Sequence, residues 1–228
     1  MNTGLGSWKS ADYVDQWLSE DVAADLMVLP RRISLALVED AGIPVSHVVD
    51  LGSGHGPYLE LFLEAYPQAR GTWVDSSAPM EEAARERLAH FGDRVRFVLS
   101  DVRDLAAARI EPASLVVSSR ALHHLAPDDL AGLYRTLFDL VESGGFIFNL
   151  DHVGAPGDLE QAYRRVRVRF IGERKKPLRP HREDHPLARA DVHATLMADA
   201  GFADPDVPWR TLYTALIAAR RAGMASIR

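Results

Sequence analysis

The sequence predicts a doubly wound, mostly parallel α/β sheet, and three observations carry that reading. Short apolar runs recur along the chain, helical periodicity fills the stretches between them, and the first run ends in a glycine-rich turn. The runs are residues 47–51, 72–75, 95–99, 114–118 and 146–150. Most are too continuously apolar for a strand with one wet face, so they are expected to be buried on both sides. Between them, residues 58–66, 78–90 and 128–141 have helical spacing. The last of these starts with Pro127, Asp128 and Asp129 and stops at Gly144 and Gly145, which are helix start and stop signals. Crossovers of this kind make the strands parallel, and such sheets bind ligands in the crevice beyond the strands' carboxyl ends. Functional residues are therefore expected just after each strand.

The flanking segments read differently. Residues 1–44 carry Tyr13, Trp17, Leu18, Val22, Leu26 and Leu29 at helical spacing, then Pro30 and a second helix to about Ala41, which suggests a cap or lid. Residues 154–187 are rich in Pro, Gly, Arg and His and are expected to insert over the sheet. Helical spacing returns at 190–200 and ends at Gly201, and residues 207–212 and 213–219 read as a terminal antiparallel pair.

Composition narrows the class. The 228 residues are 47% hydrophobic and 25% charged, the balance of a folded globular chain, and one domain is the expectation at this length. Cysteine is absent, which excludes disulfides, thiolate metal sites and cysteine nucleophiles. No apolar run approaches the roughly 18 residues that span a bilayer, and no basic segment followed by an apolar one opens the chain, so a cytoplasmic location is expected. The formal charge of −6 argues against general affinity for nucleic acid or anionic membranes.

The strongest motif is Val48-Val49-Asp50-Leu51-Gly52-Ser53-Gly54-His55-Gly56, a buried strand entering a glycine turn, with a helix starting near Pro57. Glycines at alternate positions allow positive φ and remove the Cβ atoms that would keep a ligand away from the backbone. A dinucleotide fingerprint reads G-x-G-x-x-G, but its third slot here is Pro57, so the spacing disfavours NAD. Asp75 ends the next strand, where a carboxylate can accept both hydroxyls of a ribose, and Asp101 follows the third, where it can meet a purine amino group.

These residues resemble the class I S-adenosylmethionine-dependent methyltransferases over roughly residues 45–152. The resemblance implies a seven-stranded, Rossmann-like methyltransferase fold whose last strand is antiparallel. It assigns 1–44 to a helical cap, 45–152 to the cofactor-binding core, 153–188 to an acceptor-side insertion after strand five, and 189–228 to the last helix and strand pair. The implied cofactor is S-adenosylmethionine, leaving as S-adenosylhomocysteine. Asp50, Gly52, Ser53, Gly54 and Gly56 would hold its methionine part, Asp75 and Ser76 its ribose, and Asp101 and Val102 its adenine. Ser118, in the stretch 118–125 that resembles the family's segment after strand four, joins them. Tyr13 and Trp17, four apart, could close over the sulfonium by cation–π attraction or anchor the cap helix as core residues. The tetrapeptides that mark catalytic bases in nucleic-acid amino methyltransferases do not occur after strand four.

Acceptor and catalytic residues are sought at the same strand ends. Methyl transfer is an in-line displacement, so a base is needed only where the nucleophile carries a proton, and histidine suits that task. His123 and His152 are the catalytic candidates, while His124, between Leu122 and Leu125, reads as a packed turn residue. Arg120 could touch cofactor or acceptor, or cover a helix start. Residues 164–182 hold nine Arg or Lys and one acid, Glu173, so Arg165 and Arg169 are candidates for an acceptor carboxylate or phosphate unless they form a solvated face. His181 and His185 lie in a proline-flanked loop that suits hydrogen bonding to a substrate better than a metal, and no metal is expected. Trp209 is counted with the acceptor side. The expected activity is methylation of a small, anionic molecule. Rival readings are an RNA or protein methyltransferase, and a protein that binds the cofactor without transferring methyl.

Overall fold

A computed structural model of the chain describes residues 4–19, 24–171 and 186–223. Its centre is a seven-stranded sheet in the order β3-β2-β1-β4-β5-β7-β6. The strands are β1 (His47–Leu51), β2 (Arg70–Asp75), β3 (Val95–Leu99), β4 (Ala113–Ser119), β5 (Val141–His152), β6 (Ala203–Thr211) and β7 (Thr214–Arg220). The first five run parallel, and β7 lies antiparallel between β5 and β6. Strand order reverses between β1 and β4, and this is where an open α/β sheet presents its ligand crevice.

The helices follow from where each strand buries its alternate residues. Val49, Leu51, Val116, Ile147 and Ile217 face one way, against α5 (Pro127–Leu140) and α7 (Ala190–Ala200), through Tyr134, Leu137 and Met197. Val48, Trp73, Leu115, Val117, Phe148 and Leu216 face the other way, against α2 (Ala24–Ala41), α3 (Pro57–Ala65) and α4 (Ala78–Arg87), through Met27, Val38, Phe62, Leu63 and Met80. Both faces of β1 and β4 are therefore dry, which accounts for their unbroken apolar runs. Residues 4–9 form a 3₁₀ turn ahead of α1 (Ala11–Ser19), and α6 (Leu159–Ile171) follows β5.

Four expectations change. Pro30 does not separate two helices but lies inside α2. It costs the helix one N–H bond, yet it belongs to the stripe Met27, Pro30, Arg31, Ser34 and Val38, whose burial against the sheet offsets a penalty of about 3 kcal/mol. The helix expected over 78–90 ends at Arg87 and gives way to a 3₁₀ turn, Ala89–Arg94. Strand β5 begins at Val141, so Gly144 and Gly145 lie in a register shift against β4 instead of a helix-terminal loop. Strand β6 starts at Ala203, earlier than expected, because Pro205 and Pro208 are tolerated on an edge strand with two register shifts.

The segment after β5 leaves and rejoins the fold at one place. Gly154 N–H donates to the Ala188 carbonyl at 2.9 Å, and Gly154 bridges to Arg189. Residues 172–185, which include His181 and His185, lie outside the described residues.

Gly56 shows how tightly the glycine turn is packed. It has φ 86°, and a Cβ there would sit 2.9 Å from a Leu88 methyl. Gly56→Ala is expected to cost about 2 kcal/mol from left-handed strain plus overpacking. Urea denaturation measures it, and an unchanged midpoint would contradict the packing.

Candidate active site

The glycine turn is held from below. Gly52, Gly54 and Gly56 all have positive φ, at 59°, 56° and 86°. The turn is fixed by Asp50, a buried carboxylate whose Oδ2 accepts from Ser53 Oγ at 2.6 Å and from Leu59 N–H at 3.2 Å. Ser53 N–H donates to the Val74 carbonyl and Trp73 Nε1 donates to the Gly54 carbonyl, which tie the turn to β2. A Cβ at Gly52 would overlap that of Ala121. At Gly54 it would meet only Met80 Sδ, at 3.8 Å, so this glycine leaves backbone open to a ligand.

A cleft of about 890 Å³, counting its open mouth, lies over this turn. Gly52, Ser53, Gly54, Asp75, Ser76, Asp101 and Val102 line it from the ends of β1, β2 and β3. Ser119, Arg120, Ala121 and His124 line it from the end of β4, and Trp8, Trp17 and Arg31 line it from the N-terminal elements. Asp75 accepts Gly54 N–H on Oδ2 and Ser77 N–H on Oδ1, both at 2.9 Å. Each oxygen keeps lone-pair capacity for a further donor. Burial raises the Asp75 carboxyl above its usual range, and backbone hydrogen bonds from Gly54, Ser77 and Ser76 oppose that shift. Asp101 accepts from Arg103 Nε at 2.9 Å and Nη2 at 2.7 Å, and this side-chain hydrogen bonding holds it below the usual carboxylate range.

Aromatic side chains roof the cleft. Trp17 of α1 lies edge-on to Trp8 at 5.5 Å and to His55 of the glycine turn at 6.3 Å, and the Arg120 guanidinium lies over the Trp17 ring at 4.7 Å. The Trp8 carbonyl accepts from Ser77 Oγ, which caps α4. Arg31, 8% exposed, donates from Nη2 to Ser119 Oγ at 3.2 Å.

Several expected residues lie elsewhere. Asp50 and Gly56 support the turn from beneath and do not line the cleft. Ser118 is buried, with Oγ donating to the Leu51 carbonyl, and its neighbour Ser119 lines the cleft in its place. Tyr13 packs edge-on to Trp8 at 5.1 Å and is not among the residues lining the cleft. Trp209 of β6 pairs with Leu216 of β7 and packs with the core on the α2 face. Arg165 and Arg169 are exposed on α6, and neither is among the residues lining the cleft. Their neighbours Arg164 and Arg167 lie over Tyr213 at 5.1 and 5.2 Å.

The histidines divide unexpectedly. His123 is buried: its Nδ1 is 2.6 Å from Asp151 Oδ1, and its backbone N–H donates to Asp151 Oδ2 at 2.9 Å. Burial would raise the Asp151 carboxyl, but the charge and hydrogen bond of His123 and the proximity of His152 outweigh it and hold Asp151 far below the usual range. His152 bonds through Nδ1 to Thr214 Oγ1 at 3.2 Å, and burial together with the charge of His123 pushes it well below the usual histidine range. Neither ring lines the cleft, whereas His124 does. The two histidines of the 3₁₀ turn Leu122–His124 have ring centroids 3.8 Å apart, with His123 held by the buried Asp151 and His124 at the cleft wall. Sequence reasoning also missed Arg31, although an arginine in the apolar stripe of α2 was a usable signal, and Trp8, for which there was none.

Comparison with known proteins agrees with this geometry. Residues 48–145 match the family described as "Methyltransferase domain". This segment is similar to the class I S-adenosylmethionine-dependent methyltransferases. The chain is 30% identical over 183 residues to a trans-aconitate 2-methyltransferase of Rhizobium etli, covering 76% of this chain and 64% of that protein. It is 44% identical over 66 residues to a ribosomal RNA small subunit methyltransferase H of Picosynechococcus, covering 28% and 23%. The fold matches an O-methyltransferase family protein from Burkholderia thailandensis with a TM-score of 0.62 and 21% identity, over 85% of this chain and 57% of that one. The chain spans less than two thirds of the length of the curated relatives it matches first. The residues present fit the family's cofactor: an open glycine backbone, a strand-end carboxylate with lone pairs to spare, and a second acid at the next strand. No helix among the described residues is long and apolar enough to cross a membrane.

Asp50 should leave a pH signature on stability. Burial pushes its carboxyl up to about 7. A raised folded-state value means the folded protein binds the extra proton, so this contribution is full below about pH 4, the unfolded value, and is lost as pH rises toward 7. His47, His152 and His193, lowered by burial, act in the opposite direction, so the difference between wild type and Asp50→Asn isolates Asp50. The stability of wild type relative to that variant is expected to fall between about pH 4 and 7. A pH-independent difference in urea unfolding would remove this assignment.

Proposed function

We propose that the chain transfers the methyl group of S-adenosylmethionine to a small acceptor that carries a carboxylate. The observation that carries this reading is one cleft lined both by the glycine turn with Asp75 and Asp101 and by two arginines and an imidazole, Arg31, Arg120 and His124. S-adenosylmethionine supplies the electrophilic methyl carbon. What remains for the protein is to bind, orient and exclude water.

In this reading Gly52 and Gly54 let the amino-acid part of the cofactor approach the backbone, while Asp75 accepts the ribose hydroxyls and Asp101 with Val102 meets the adenine edge. Arg31 offers its guanidinium to the cofactor's carboxylate, and Trp8 and Trp17 keep water from the sulfonium. Where the acceptor nucleophile carries a proton, His124 is the cleft imidazole able to take it, and a carboxylate nucleophile needs no base. His123 and His152 then act through Asp151 as positioning groups for the turn that carries His124. A carboxylate-bearing acceptor is supported by the likeness to trans-aconitate methyltransferases. An RNA acceptor is less well supported: Arg164 pairs with Glu160 at 3.0 Å, and Arg164 and Arg167 both pack on Tyr213, so these two do not form part of a basic stripe.

Calorimetric titration with S-adenosylmethionine, S-adenosylhomocysteine and NADH tests the cofactor. Both adenosyl ligands are expected to bind, NADH is not, and Asp75→Ala is expected to weaken the adenosyl ligands at least tenfold, the scale of losing hydrogen bonds to a charged group. Unaltered binding in the variant, or binding of NADH alone, would overturn the reading. Methyl transfer to small carboxylic acids is further expected to change little between about 50 and 200 mM salt, over which binding to a phosphate backbone falls by orders of magnitude.

A further inference from the structure

The carboxylate at the β3 end of the cleft is already engaged from outside it. Asp101 lines the cleft, and Arg103, two residues on, is not among the lining residues. Three donors of Arg103 nevertheless reach Asp101: the backbone N–H and Nε meet Oδ1, both at 2.9 Å, and Nη2 meets Oδ2 at 2.7 Å. An ionised carboxylate has roughly four lone-pair sites, so among the described residues one acceptor site of Asp101 stays open, on Oδ2.

A carboxylate on a free torsion turns to whatever donor is near, but Asp101 is held at two levels. The backbone beside it is tied to β2, where Ser100 N–H donates to the Asp75 carbonyl at 2.8 Å, and the side chain is gripped by the planar guanidinium fork. The same hydrogen bonds hold the carboxyl below its usual range, so it stays ionised and can only accept. Adenine carries an exocyclic amino group, which donates, beside a ring N1 that accepts. Hypoxanthine carries a carbonyl in place of the amino group, and its N1 bears a proton. An acceptor fixed on the amino group therefore meets lone pair against lone pair when a carbonyl takes that place, whereas a carboxylate free to turn can accept from N1–H instead. A site built to bond one donor rejects the analogue that lacks it, provided its polar group cannot re-aim.

We propose that Arg103 is a positioning residue for cofactor selection: by fixing the Asp101 carboxylate it makes the cleft distinguish a purine with an exocyclic amino group from one with a carbonyl in its place. This rests on the cofactor reading above, in which Asp101 meets the adenine edge. The side chains of Arg103 and Asp101 are 47% and 26% exposed, and ion pairs this open to water add little to stability, so the pair acts on selectivity and not on folding.

The test is calorimetric titration with S-adenosylhomocysteine and S-inosylhomocysteine, its analogue with hypoxanthine as the base. Wild type is expected to prefer the adenosyl ligand by at least about tenfold, the scale of one hydrogen bond to a charged group. Arg103→Ala should cut that preference to about threefold or less, and Arg103→Lys, which keeps the charge without the fork, should fall between. Loss of merely structural support would weaken both ligands together and leave the preference intact. In an Asp101→Ala background, adding Arg103→Ala should change neither affinity, because a positioning residue acts only through its partner. A wild-type preference in Arg103→Ala overturns the proposal, as does an effect of Arg103→Ala that persists without Asp101. Equal binding of the two ligands by wild type overturns the proposal together with the assignment of Asp101 to adenine. Failure of wild type to bind S-adenosylhomocysteine overturns the cofactor reading beneath both.

Discussion

Everything in the cleft depends on a carboxylate that is not in it. Asp50 lies inside the sheet at the end of β1, and its bonds to the Ser53 hydroxyl and Leu59 N–H hold the glycine turn against the start of α3. The turn needs such an anchor because three of its five residues have positive φ, and glycine's backbone freedom must be given up on folding. Once it is held, Gly54 N–H can reach Asp75, and the Gly54 carbonyl can accept from Trp73. The adjacent end of β2 is thereby brought into register with the turn.

A second buried carboxylate does the same for the opposite wall. Asp151, near the end of β5, accepts from the side chain and backbone of His123 and from the backbone of His152. It thus fixes the 3₁₀ turn that carries His124, close to the strained Arg120. The four strand-end carboxylates fall into two kinds. Asp50 and Asp151 are fully enclosed and bond within the protein, Asp50 through Oδ2 and Asp151 through both oxygens, while Asp75 and Asp101 line the cleft. A buried carboxylate is tolerable only when several donors satisfy it, and that requirement makes the two enclosed ones rigid supports. The N-terminal elements then complete the site through larger surfaces, with Arg31 from α2 and the indoles of Trp8 and Trp17 covering polar loops that the sheet alone leaves open.

Much of this was legible in the residues. The apolar runs at 47–51 and 95–99 coincide with β1 and β3, and helix α7 has the bounds its periodicity implied, because buried strands and amphipathic helices carry local patterns. The glycine turn, Asp75, Ser76, Asp101 and Val102 were readable for the same reason: they follow strands whose ends are marked. The direction of the basic segment was not readable, since a run of arginines reports local charge alone; in its described part, Arg164 and Arg167 of α6 stack on Tyr213.

The sequence by itself determined the order of strands and helices, the parallel sheet, and the strand ends at which ligand-binding groups must gather, since these follow from period and turn chemistry along a few neighbouring residues. Only the tertiary structure decided which of two neighbouring candidates lines the cleft: Ser119 and not Ser118, His124 and not His123, and, one helical turn apart, Trp17 and not Tyr13. One step along a strand reverses a side chain's direction, as between Ser118 and Ser119, and the partner that holds it there, the Leu51 carbonyl for Ser118, lies far away in sequence. The same is true of Arg31, which reaches Ser119 across 88 residues. Such contacts arise only when the helical cap packs on the finished sheet, so no local pattern could announce them.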